Sequence, residues 1–191
     1  MATPTSLPAT FVAGNVLTAA QMNDLRGAFR ILQVVSTTKT DTFSASTDND
    51  GTPNAQWASV TGLTATITPT AATSKVLVFV SLFGSSENSY GFAFRLTRGG
   101  TAIGVADAAG SRNQTSGVVN ATVDPGFLGS GSVSYLDSPA STSALTYGVD
   151  VANVQSSSAT VTVYVNRSLN DSNLASAART VSTITVMEVS A

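Results

Sequence analysis

The chain changes its hydrophobic period once. Over residues 17–32 the large apolar side chains recur at helical spacing, and from about Ile31 onward apolar and polar residues alternate in twos. In "FAFRLTR" (92–98), Phe92, Phe94 and Leu96 alternate with Ala93, Arg95 and Thr97. In "ATVTVYV" (159–165), Val161, Val163 and Val165 alternate with Thr160, Thr162 and Tyr164. "ALTYGVDV" (144–151) puts Leu145, Tyr147, Val149 and Val151 on one side. Such alternation marks antiparallel strands with one buried face. The paired glycines of "RGGT" (98–101) accept positive φ and predict a two-residue hairpin turn. Across the chain the pattern predicts strands at 31–37, 41–46, 56–60, 63–68, 75–83, 90–98, 101–106, 117–123, 131–136, 144–152, 159–166 and 180–189. Short strands at this spacing, with turn residues between, predict an all-β fold: an antiparallel β-sandwich or jelly roll.

"KVLVFVSLF" (75–83) departs from simple alternation, because both of its faces are apolar. One face meets a sandwich core. The other needs cover from a loop or a neighbouring subunit, and Val76, Val78, Val80 and Leu82 are the expected subunit interface.

Ahead of the strands, Thr18 and Gln21 form a capping box, and Leu17 and Met22 stand where a hydrophobic staple would. Met22, Leu25, Phe29 and Leu32 follow as a narrow apolar stripe. A helix this short is marginal alone in water. Before it, Pro4 and Pro8 favour an extended arm over residues 1–13. Two units are therefore expected: an arm and anchoring helix at 1–32, and a sandwich at 33–191. The narrow stripe and its position ahead of the body predict that Leu17, Met22, Leu25, Phe29 and Leu32 dock on another polypeptide.

Composition narrows the chemistry. Hydrophobic residues make up 42 %, enough for a core, while charged residues make up only 10 %, against an average of about 25 %. Ser and Thr supply the polarity instead. Net charge is −2 and the nine basic residues are scattered, which predicts neither a nucleic-acid footprint nor a polybasic membrane patch. No run approaches the roughly 18 apolar residues of a membrane helix. "MATPTSLPATFVAG" lacks a basic n-region and an apolar run, so synthesis in a cytoplasm without a signal peptide is expected. The sequence has no cysteine and no histidine. Disulfides, thiolate nucleophiles and the commonest general base are excluded.

Several motifs resemble active-site chemistry and fall short of it. Asp48, Asn49, Asp50 and Gly51 echo a calcium loop, but the sixth position from Asp48 is Pro53, where an EF-hand needs Gly. A turn is the expected state, with Asp48 and Asp50 the candidates for any cation. Asp107, Asp124, Asp137 and Asp171 lie beside turn residues and read as solvated, unlike the paired acids of glycosidases. "GSGS" (129–132) has no histidine to activate a serine. Asn113, Asn120, Asn166 and Asn170 open N-x-[ST] triplets expected by chance in a Ser/Thr-rich chain. Trp57, Phe92, Tyr135, Tyr147 and Tyr164 read mainly as core, and Tyr90, next to "SSENS", as exposed. No catalytic residue, metal site or cofactor is expected.

"FVAGNVLTAAQMNDLRGAF" resembles the N-terminal segment of many bacteriophage virion proteins, in which a short arm and helix precede a β-rich body. "SKVLVFVSLFGSS", "FAFRLTRGGTAIGVA", "ATVTVYVNRS" and "RTVSTITVMEV" resemble the β-sandwich domains that close phage tail fibres and head-surface proteins. The resemblance implies a non-enzymatic virion structural protein. Its anchor would bind other virion proteins, and its exposed body would form a homotrimer on the particle exterior. With no shaft between helix and body, it implies a short fibre or adsorption module with a host-surface glycan as partner. The alternative it implies is a capsid decoration or cement protein at capsomer junctions. A depolymerase that cleaves glycans is the enzymatic rival.

Overall fold

Eleven strands take up the alternating segments: β1 (Ile31–Lys39), β2 (Phe43–Thr47), β3 (Ala58–Ile67), β4 (Lys75–Ser86), β5 (Phe92–Arg98), β6 (Thr101–Ile103), β7 (Gly117–Val119), β8 (Gly129–Asp137), β9 (Leu145–Ala152), β10 (Val161–Val165) and β11 (Ser182–Val189). The computed structural model describes residues 16, 19, 31–48, 56–87, 91–120, 126–153 and 160–190. Leu17, Met22, Leu25, Phe29, Asp50, Tyr90 and Asp124 lie outside these, and with them the expected anchoring helix.

All strand pairs are antiparallel. In the first sheet β4 is central. β8 runs along one edge of it; β11 pairs with the first part of the other edge and β10 with the last, and β1 and β2 lie outside β11 and β10. In the second sheet the order is β3, β9, β5, and β7 and β6 share the far edge of β5. Counting β1 with β2, β6 with β7 and β10 with β11 as single ribbons leaves eight. Their order is 1-8-3-6 in one sheet and 2-7-4-5 in the other, which is a jelly roll.

The core lies between the sheets. Val78, Val80 and Leu82 of β4 face Phe94 and Leu96 of β5 and Val149 of β9 within one buried cluster. Alternation explains most assignments, and the hairpin at Gly99 and Gly100 forms with φ of 57° and 80°. One reading is corrected. Segments 56–60 and 63–68 are a single strand, β3, carrying a large bulge: Ser59 pairs with Asp150 and Thr64 with Gly148. The bulge turns both Val60 and Leu63 inward, so the period of two breaks there and mimics two strands. "GSGS" opens β8 for a steric reason. A Cβ at Gly131 would lie 2.6 Å from the Phe94 ring and 2.8 Å from the Val118 carbonyl oxygen.

Two ribbons break at the same level, where β1 gives way to β2 and β10 to β11. Asn166 fills the break, fully buried, with φ of 63°. Its backbone N–H donates to the Phe83 carbonyl of β4 and its carbonyl accepts from Thr180. Its Nδ2 donates to the carbonyls of Lys39 (2.8 Å) and Asp41 (3.0 Å). Its Oδ1 accepts from Ser182 Oγ at 2.6 Å, and that hydroxyl in turn accepts from the Phe83 N–H. The triplet at Asn166 is thus a structural feature. Beside it, Lys39 Nζ, almost wholly buried, reaches out to the exposed Asp41 at 2.7 Å; that hydrogen bond holds the Asp41 carboxyl below its ordinary value.

The opposite end is closed by two buried carboxylates flanking Val76, with which both pair in register. Glu188 accepts from the Thr70 N–H and hydroxyl and, at 2.6 Å, from Gln33 Nε2. Burial alone would raise the Glu188 carboxyl; the donors from Gln33, Thr70 and Ser74 together outweigh it and hold the group below its ordinary 4.5. Asp137 accepts from Arg98 Nη1 (2.6 Å) and the Tyr147 hydroxyl (2.7 Å), both from the other sheet. Burial, then the bond to Asp137, pushes the Tyr147 phenol well above its usual range.

Two predictions follow from these ends. Asn166→Gly keeps the backbone conformation but leaves two carbonyls and the Ser182 hydroxyl short of partners. It should cost about 3 kcal/mol in urea denaturation, and a loss below about 1 kcal/mol would show that the break is held by other means. A depressed Glu188 contributes stability in full above its unfolded value and loses it as pH falls through the folded one. Wild-type stability should therefore fall as pH drops below about 5, and the fall should be shallower in Glu188→Gln.

Candidate interaction surfaces

The outer face of the β4 sheet carries an apolar row. Register aligns Val34 of β1, Met187 of β11, Leu77 of β4 and Leu136 of β8 across four adjacent strands. At about 4.8 Å per strand the row runs for about 14 Å. Val34 is 54 % exposed and Leu136 46 %. Phe79, 42 % exposed, stands in the next row among Ser36, Thr185 and Ser134, and a third row holds Thr38, Thr183, Ser81 and Ser132. Four aligned apolar residues with no charge among them are a contiguous patch, unlike scattered surface leucines.

This face corrects the expected subunit interface. Val76, Val78, Val80 and Leu82 are at most 3 % exposed and belong to the core. Alternate residues of a strand point to opposite faces, and where both sets are apolar the sequence does not say which set faces in. The outward set is Leu77, Phe79 and Phe83. Leu32 is likewise reassigned: it lies in β1, 42 % exposed and two residues ahead of Val34, rather than in the last turn of a helix.

The outer face of the other sheet is polar. Asp150 of β9 is flanked in register by Ser59 of β3 and Arg95 of β5. Ser59 Oγ donates to its Oδ1 at 2.7 Å, and Arg95 donates to its Oδ2 through Nε (3.2 Å) and Nη2 (3.0 Å). The Arg95 guanidinium lies 4.4 Å from the centroid of the Trp57 ring, so Trp57 serves as a stacking lid on this ion pair. Neither Arg95 nor Asp150 stood out in the sequence. The available signal was a charge at the outward position of each of two apolar strands.

The other acids separate by environment. Asp137, expected in a solvated turn, is buried and paired as described. Asp171 accepts both Nε and Nη2 of Arg179 at 2.7 Å, closing the loop between β10 and β11. Asp107 is exposed. Among the described residues no group of three acidic side chains is placed to hold a metal ion, and Asp48 Oδ1 is buried without a partner. Of the aromatics, Tyr147 and Phe92 are core, and Tyr164 carries the Arg167 guanidinium at 4.2 Å on its ring. No described helix is long and apolar enough to cross a membrane.

No family model and no curated protein matches the sequence. Among solved structures, the chain is similar to infectious bursal disease virus of the Gt strain, with 16 % identity over 85 % of this chain and 38 % of that one and a TM-score of 0.38. It is similar also to the VP2 subviral particle of the same virus, with 16 % identity over 83 % of this chain and 37 % of that one and a TM-score of 0.37. The chain spans under two fifths of those proteins, and likeness this distant carries no argument about what it binds or builds.

Proposed function

We propose that the chain is a non-enzymatic structural component of a bacteriophage virion. Residues 1–32 attach it to other virion proteins, and the jelly roll stands on the particle exterior as a short fibre or adsorption module. The observation that carries this reading is the apolar row of Val34, Met187, Leu77 and Leu136, with Phe79 beside it. That surface is contiguous and free of charge across four strands, and it begins on β1, the strand into which the anchor segment runs. A second copy of the chain covers it, three copies surrounding one axis. Each large side chain so buried adds roughly 1.5–3 kcal/mol, and several copies anchored together gain further through high effective concentration. The polar sheet then faces outward. That arrangement favours adsorption over cementing a capsomer junction, where the outward face would have no ligand to meet.

Sedimentation equilibrium of the full chain should give three times its 19.4 kDa mass. Phe79→Asp, on the outer face and clear of the core, should give a folded monomer; a wild-type monomer, or a trimer unaffected by Phe79→Asp, would sink the self-association reading. Attachment is tested separately. Leu25→Asp should leave the strands folded and remove the protein from purified particles, and particles carrying the variant at normal occupancy would rule out the anchor.

A further inference from the structure

We propose that copies of the chain join edge to edge, the backbone of β8 in one copy pairing with that of β1 in the next. A sheet edge presents outward N–H and C=O groups that can pair with another chain, and folds blunt such edges with short strands, bulges, charges or proline. Most edges of this sandwich are blunted. β3 carries its large bulge between Ser59 and Thr64, β6 and β7 have three residues each, and β2 has five. β1 and β8 are different. Each has nine residues and is bonded along one side, β1 to β11 and β8 to β4. Among the described residues, the backbone of 31–38 and of 129–136 makes no hydrogen bond outside those pairings. Neither stretch contains a proline or a charged residue. The one irregularity is a bulge at Leu32, where Ile31 pairs with Val189 and Gln33 with Glu188, and the rest of β1 is regular. The side chains these two strands turn toward the core, Val35, Val133 and Tyr135, are only half-buried, so both flanks of the sandwich stand open.

The two open edges fit each other. β1 is antiparallel to β11, β11 to β4 and β4 to β8, so β8 runs opposite to β1. Rotation about an axis along the strands preserves that relation. β8 of one copy therefore meets β1 of the next antiparallel, the more stable of the two ladder types. Joining β1 to β1, or β8 to β8, about the same axis would give parallel ladders. A ring also needs two different, complementary surfaces on every copy. The apolar row is one surface, identical in each copy. Its two ends, Val34 on β1 and Leu136 on β8, lie at the two open edges, and those edges supply the complementary pair.

The edge contact rests on the self-association reading for its partner and adds the bonds by which that partner is held. The test is disulfide cross-linking of the full chain, whose sequence has no cysteine of its own. Ser134→Cys on β8 is combined in turn with Val34→Cys, Ser36→Cys and Thr38→Cys on β1, which sample successive registers on one face. Within a copy Ser134 and Ser36 are aligned but separated by β4 and β11. At about 4.8 Å per strand that is about 14 Å, twice the roughly 7 Å that the Cα atoms of a disulfide span, so any bond formed joins two copies. At least one pair should give, under mild oxidation, a species of three times 19.4 kDa on a non-reducing gel that collapses on reduction. Each single-cysteine variant should stay unlinked. Hydrogen exchange supplies a second measurement that needs no cysteine. The amides of β1 and β8 that point away from β11 and β4 should exchange at least about a hundredfold more slowly in wild type than in Phe79→Asp. No linked species from any pair, linkage through a single cysteine, a ladder running past three copies, or equal exchange in the two proteins overturns the proposal. With a sedimenting trimer, any of these results leaves the self-association reading standing; a sedimenting monomer overturns both.

Discussion

A continuous central strand cannot stand beside interrupted neighbours unless something completes its hydrogen bonds. β4 is such a strand, 12 residues long, while β10 stops and β11 starts along the same edge. The backbone groups of Phe83 would be orphaned at that break, at a cost comparable to a lost buried hydrogen bond. Asn166 and Ser182 meet the demand together, one through its backbone N–H and one through its hydroxyl. The same asparagine side chain ties down the break between β1 and β2. Its left-handed backbone is tolerated because Asn visits that region more readily than most residues. With the break closed, two ribbons can each change direction without opening the sheet, and the jelly roll keeps its eight-ribbon order.

The interior is therefore divided by chemistry along its length. One end is closed by the Asn166 amide network with the Lys39 ammonium beside it, the other by the carboxylates of Glu188 and Asp137, and the middle is apolar. Glu188 is held within its own sheet and the loop beside it, whereas Asp137 reaches Arg98 and Tyr147 across the sandwich. The Asp137 bonds fix the sheets relative to each other at one end, and the apolar middle supplies the larger share of the burial.

How much of this could be read from the sequence depends on the range of the interaction. Alternation is local, so the strands and the Gly99–Gly100 hairpin were legible. The β3 bulge breaks the alternation and, in the sequence alone, looks like a gap between two strands. The inward face of β4 could not be assigned, because Val76, Val78, Val80 and Leu82 are chemically equivalent to Leu77, Phe79 and Phe83 when viewed along the chain alone. Asn166, Asp137 and Asp150 each find partners on strands far away in sequence. Nothing near them in the chain distinguishes them from residues of ordinary turns.

The pairing of Ile31 with Val189 brings the entry and the exit of the sandwich side by side at the carboxylate end. Tension applied between those two residues would peel β1 from β11 one rung at a time, at low force. Tension applied to Ile31 against a grip on the far loops would instead load the whole β1–β11 ladder in shear, and every rung would have to fail together. Were the body held at Ile31 and pulled from its far loops, it would be loaded along its mechanically strong direction.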